Sequence, residues 1–203
     1  MPRCSHNYTV CHPNNDETMS LPAAVPIQVW FVLQQHSLVL DWAGPAEALR
    51  IANQLLHAAG QPERFQIRFA GAAPQATGSV GVTMANLEPL PVHWNGPCWL
   101  VLVGLPGSTI AVDNDEAQAL LHWLRGLRLA RGRLELVTIC AGTLLAAHAG
   151  LLAGRRATTH HHHLDELAAV EPRCDVVANR VFVVDPPLYR STGVATDIDL
   201  RMH

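Results

Sequence analysis

Cys140 is the residue of this chain with the clearest chemical possibilities. The stretch Leu134-Glu-Leu-Val-Thr-Ile-Cys140-Ala-Gly142-Thr-Leu-Leu-Ala-Ala147 reads as an apolar strand that passes directly into a helix of small residues. A sharp strand-to-helix turn of this kind, the nucleophile-elbow layout, pushes the side chain at its apex out of the sheet, with the N–H groups of the helix behind it. The positive end of the helix favours a thiolate at the apex, which suits a nucleophile or an oxidisable sensor. Taken alone, the segment fits a small buried thiol equally well. Gly104 and Ala141 are candidate backbone donors to a carbonyl or anion pocket, because glycine permits close approach and the elbow places its next amide inward.

The run His160 to His163 raises the question of a metal. Consecutive helix residues point about 100° apart, so on a helix only an i, i+3 pair such as His160 and His163 would share an ion. Neither a metal site nor a cofactor is expected. Five cysteines, Cys4, Cys11, Cys98, Cys140 and Cys174, are scattered without a C-x-x-C pair and read as reduced thiols.

The elements that must position these residues alternate. Ile27 to Leu33 reads as a strand, and Gly44-Pro45 opens a helix in which Ala48, Leu49, Ala52, Leu55 and Leu56 recur at helical spacing. Phe65 to Phe69 is a second strand, and Ala72 to Pro97, rich in Gly and Pro, holds a hairpin or meander. Trp99 to Val103 is a strand covered on both faces. Asp113-Asn-Asp-Glu116 caps a helix that Gly132 ends. After the elbow come a short helix through Leu164, Leu167 and Ala168 and a strand at Val181 to Val184. Alternating strands and helices predict an α/β fold, with helices flanking a mostly parallel, doubly wound sheet. In such a sheet the ligand crevice lies beyond the carboxyl ends of the strands. The turn bearing Asp41, the Gly104 to Gly107 turn and the Cys140 elbow should converge there.

With 203 residues, 49% apolar composition and a formal charge of −3, the chain suits one domain over 26–203 behind a poorly ordered extension, 1–25. It has no concentrated basic stripe for DNA, no membrane-length apolar run and no signal peptide, so a cytoplasmic protein without membrane contact is expected.

Several pieces together resemble the ThiJ/PfpI (glutamine-amidotransferase-like) superfamily. They are Asp41-Trp-Ala-Gly44-Pro45-Ala-Glu47, Gly104-Leu-Pro-Gly107, Ile139-Cys140-Ala-Gly142, Gly150-Leu-Leu-Ala-Gly-Arg-Arg-Ala-Thr-Thr-His160 and Ser191-Thr-Gly-Val-Ala-Thr-Asp-Ile-Asp-Leu200. The resemblance implies a flavodoxin-like three-layer sandwich. Ala48 to Gln54, Thr158 to Leu167 and Gly193 to Leu200 are similar to the amino-terminal sensor domains of AraC-family transcriptional regulators. Such regulators carry a helix-turn-helix domain after this one; the chain stops at His203, in what reads as a helix from near Ala195, so that domain is expected to be absent.

The resemblance implies a homodimer that binds a small effector, a nitrogenous metabolite, in the elbow-cysteine pocket. Contact with DNA would come only through the missing domain, with the signal leaving after Thr196. It places Asp41 where hydratase-like relatives carry an acidic partner of the cysteine. It makes His160 a catalytic or vestigial residue, and Thr159 and Ser191 ligand-binding. Ala141 departs from the histidine of PfpI-type peptidases and from the threonine of isocyanide-hydratase-like relatives. The alternative is a stand-alone hydratase or hydrolase with Cys140 as nucleophile and Asp41 as acid/base; a third reading is a redox or carbonyl-stress sensor.

Overall fold

The computed structural model describes residues 25–107 and 109–193. The expected extension before Pro26 falls almost entirely outside them, as does the expected helix from Ala195. A seven-stranded sheet forms the centre. In chain order the strands are β1 (Ile27–Val32), β2 (Phe65–Gly71), β3 (Gln75–Thr77), β4 (Thr83–Ala85), β5 (Glu88–Pro89), β6 (Cys98–Leu102), β7 (Leu134–Ile139), β8 (Arg156–Ala157), β9 (Asp175–Val176), β10 (Phe182–Asp185) and β11 (Leu188–Ser191). The helices are α1 (Val39–Ala58), α2 (Asp115–Arg125), α3 (Gly142–His148) and α4 (Leu164–Val170).

The sheet order is β10-β11-β7-β6-β1-β2-β5, and every pairing except the antiparallel β10 with β11 is parallel. This is the mostly parallel α/β sheet expected. β3 pairs with β4 and β8 with β9 in two small separate ladders. β7, all six residues buried, lies between β6 and β11. α3 packs on β6 and β7 and also meets α2 and α4. Its residues from Gly142 to Ala147 are all buried, which is why the sequence there is small and apolar on every side rather than amphipathic.

Three local expectations are corrected. α1 begins at Val39, not at Gly44-Pro45, and Pro45 lies inside it. Proline there forgoes only the bond to the Asp41 carbonyl, near the helix start where few such bonds have yet formed. α2 is capped as expected, Asn114 Oδ1 accepting from Ala117 N–H at 2.9 Å, but it ends at Gly126 rather than Gly132. Leu127 nonetheless stays buried, so apolar spacing outruns the helix. β11 is a strand that the sequence does not announce, because Arg190 interrupts its apolar pattern. Along α1, Leu55 belongs to the apolar repeat in sequence, yet it is 66% exposed, together with Leu40 at 61% and Ile51 at 43%.

Candidate functional site

Cys140 takes a φ of 52°, the left-handed region that residues with a Cβ avoid at a cost of about 1–3 kcal/mol. Bonds on both sides of the residue hold it there. Its N–H donates to Ser191 O at 2.9 Å, and Thr159 Oγ1 donates to its carbonyl at 2.8 Å. Behind it, Thr143 Oγ1 donates to Thr158 O at 3.2 Å and meets Thr138 Oγ1 at 2.7 Å, tying the start of α3 to β7 and to the chain leaving β8. The elbow is thus a strained turn fixed by β11, by β8 and by its own strand.

The three segments converge as the topology requires. Asp41, wholly buried in the first turn of α1, reaches across to accept the Gly104 N–H at 2.9 Å. A Cβ on Gly104 would lie 2.5 Å from Asp41 Oδ2 and 2.9 Å from Cys140 Cβ, so carboxylate and cysteine crowd one point that only glycine leaves open. This bond gives the Gly104 amide to the Asp41 side chain. Ala141 is buried and starts α3 with φ −67°.

Ser191 and Thr159 are at the elbow, but each has polar atoms engaged by its backbone. Ser191 Oγ accepts from Gly193 N–H at 3.3 Å, and Thr159 holds the Cys140 carbonyl. Gly193, given no role by the sequence reading, closes over the thiol: its Cβ would lie 3.8 Å from Cys140 Sγ, and its φ is 133°. The only hint in the sequence was its place in the Ser191-Thr-Gly193 piece.

Two cavities lie along chain segments adjoining the elbow residues, and Cys140 itself lines neither. One, of about 280 Å³, is lined by Thr158, Thr159, His160, His161, Asn179 and Arg180 among others. The other, of about 510 Å³, lies past Gly104 along Leu105 and Pro106 and reaches His36 and Glu116. Burial pushes the Glu116 carboxyl above the ordinary carboxylate range, partly opposed by a Gln35 backbone bond and by His36. His160 is half-buried on the wall of the smaller cavity, and burial, followed by the neighbouring imidazoles, lowers its pKa. Burial raises the thiol pKa of Cys98 and Cys174, which keeps both protonated.

The histidine run is not α-helical, so His160 and His163 do not share a helix face. His160 is extended, at ψ 139°, ahead of a 3₁₀ turn over His161–His163. His163 turns inward instead, its Nδ1 lying 2.8 Å from Glu166 Oε2.

Residues 35–202 match the family model of the DJ-1/PfpI family, over most of the chain. The chain belongs to the DJ-1/PfpI family. HTH-type transcriptional regulator CdhR of Pseudomonas aeruginosa is 31% identical over 176 residues, covering 85% of this chain and 48% of that protein. This DJ-1/PfpI chain therefore spans about half the length of that regulator. Isonitrile hydratase of Pseudomonas putida is 28% identical over 180 residues, covering 87% of this chain and 69% of that one. The crystal structure of an AraC family transcriptional regulator from Pseudomonas putida superposes with a TM-score of 0.65 at 17% identity, covering 86% of this chain and 88% of that chain, which shows a shared fold. The relatives of this DJ-1/PfpI chain thus include transcriptional regulators. No helix among its described residues is long and apolar enough to cross a membrane.

Proposed function

We propose that this chain is the effector-sensing domain of an AraC-family transcriptional regulator and that it binds a small metabolite at the Cys140 elbow. The observation that carries the reading is the 31% identity to CdhR along 85% of the chain. In support, cavities of about 280 and 510 Å³, one lined by Thr159 beside the elbow and the other by Leu105 beside Gly104, are of a size for a metabolite. Ala141, in place of a histidine next to the nucleophile, leaves amide hydrolysis without its usual base. The effector class, a nitrogenous metabolite, rests on the resemblance.

A second reading, a cysteine-dependent hydratase or hydrolase, is favoured by one observation: Asp41 and Cys140 both crowd Gly104. There Cys140 would attack an electrophilic carbon and Asp41 would pass the proton. One experiment separates the two. The wild-type chain and Cys140→Ser are each assayed for turnover of an isonitrile, nitrile and amide panel, and for thermal shift with a panel of amino-acid derivatives and quaternary amines. The sensor reading expects no turnover by either protein and a rise in Tm with at least one amine that Cys140→Ser retains. Wild-type turnover abolished in Cys140→Ser overturns it in favour of the enzyme.

The dimer implied by the resemblance requires an exposed apolar face, and α1 provides one in Leu40, Ile51 and Leu55. These lie eleven and four residues apart, three turns and one turn along one side of the helix. Replacing Ile51 and Leu55 together by Glu, at exposed positions that the fold does not need, is expected to convert a dimer to a monomer by sedimentation velocity without lowering Tm. An unchanged sedimentation coefficient would place the interface elsewhere.

A further inference from the structure

The geometry points to a transition-metal site formed by His160, His161 and His162, a divalent ion of the zinc or copper class being held by three imidazoles at the rim of the cavity beside the elbow. One ring nitrogen from each residue lies within 4.8 Å of those of the other two. The ring centroids are 4.2 Å apart for His160 and His161, 5.0 Å for His160 and His162, and 4.0 Å for His161 and His162. A tetrahedral zinc ion with Zn–N bonds of about 2.0–2.1 Å needs its nitrogens about 3.4 Å apart. Rotation of the imidazole side chains has up to about 1.4 Å to close, with His160 Nδ1 already accepting the His162 N–H at 3.4 Å and Nε2 left to the ion.

Three consecutive residues on an α-helix would splay their side chains and could not do this. Here the break in backbone between extended His160 and the 3₁₀ turn folds the first ring back over the next two. The turn is anchored rather than loose. His163 points the other way into the protein, where it is 3% exposed and bonded to Glu166, and the second oxygen of Glu166 accepts the Ile110 N–H at 3.1 Å. An inward histidine thus fixes the base on which the three outer ones stand.

The donor set decides the class of ion. Imidazoles without carboxylate partners suit Zn²⁺, Cu²⁺ or Ni²⁺ rather than Mg²⁺ or Ca²⁺, which take oxygen ligands. Three protein ligands leave a fourth position to water or to a ligand atom. His160 and His161 line the 280 Å³ cavity together with Thr159, whose hydroxyl holds the Cys140 carbonyl. An ion here would stand one residue from the elbow's own hydrogen bonds.

The test titrates the reduced 203-residue chain with Co²⁺, whose visible absorption reports coordination, followed by displacement with Zn²⁺. The expected result is one equivalent of Co²⁺ with a four-coordinate spectrum, displaced by one equivalent of Zn²⁺. His160→Ala, His161→Ala and His162→Ala are each expected to weaken binding about tenfold or more, while His57→Ala on α1 changes nothing. His161 and His162 are exposed, so their variants should keep the wild-type Tm, and loss of metal in them is not loss of fold. The proposal is overturned if His161→Ala and His162→Ala bind Co²⁺ as wild type does. It is overturned equally if the spectrum shows thiolate ligation, as Cys4 or Cys11 would give, or if several weak equivalents bind and each substitution removes only a share.

Discussion

Adding a single methyl group at Gly142 is expected to unfold the elbow and destabilise the domain by about 3 kcal/mol or more. A Cβ there would lie 2.4 Å from Leu102 O and 2.9 Å from Val103 O. Both are backbone atoms at the end of β6, the strand paired with β7, so neither can rotate away as a side-chain tip would. Relief requires α3 to move off β6. That would break the Thr143 hydroxyl bonds and the Cys140 turn together, because Thr143 and Cys140 lie on either side of Gly142. Urea denaturation of Gly142→Ala should show a large fall in midpoint or no cooperative transition. A midpoint within 1 kcal/mol of wild type would mean that α3 is free to shift, and that the elbow is less rigid than its bonds suggest. Gly104→Ala makes a useful comparison. Its Cβ would meet the carboxylate oxygen of Asp41 and the Cβ of Cys140, so the damage should centre on the site.

These close approaches explain what could be read from the sequence and what could not. The β7 strand and the elbow are legible because a strand buried on both faces is mostly apolar, here with only Glu135 and Thr138 as polar members, and because a helix buried on every side is mostly small and apolar. The meeting of Asp41, Gly104 and Cys140 was legible from topology, since parallel strands bring their carboxyl ends to one edge. What Gly104 does there was not, because its amide is claimed by a carboxylate more than sixty residues earlier and spacing carries no trace of that bond. The start of α1 was hidden by Pro45, which local rules place at a helix beginning although tertiary packing tolerates it six residues in. The backbone of the histidine run is hidden for a related reason: helical spacing does not describe residues that straddle an extended residue and a 3₁₀ turn, and ring positions depend on that backbone more than on spacing. β11 was missed because a buried arginine stands in the middle of it.

That arginine leads to the second large effect: replacing Arg190 by Met is expected to stabilise the protein by about 1–4 kcal/mol. Arg190 has no exposed surface. Its Nη1 donates to Arg156 O, while Nε and Nη2 have no hydrogen-bond partner among the described residues. Burial pushes its pKa well below the usual guanidinium range, to about 10, only partly offset by Asp185 and Cys174, with Arg155 adding to the depression. The sign follows from linkage. A base whose folded pKa is depressed is held charged at a cost at all pH below about 10, and the cost is relieved as pH rises above that, where the folded state sheds its proton before the unfolded chain does. A drop of this size corresponds to a penalty on the order of 3 kcal/mol at neutral pH. Methionine removes the charge and fills most of the volume with a flexible apolar chain; it also frees the Arg156 carbonyl, which sets the lower end of the expected range. Arg190→Lys, by contrast, keeps a buried charge that is solvated more strongly in water, and should be no more stable than wild type. Urea denaturation at pH 7 checks both. If Arg190→Met were the less stable by more than about 1 kcal/mol, the guanidinium would be a net support of the β11 edge, and its contacts with β8 would outweigh the cost of burying the charge.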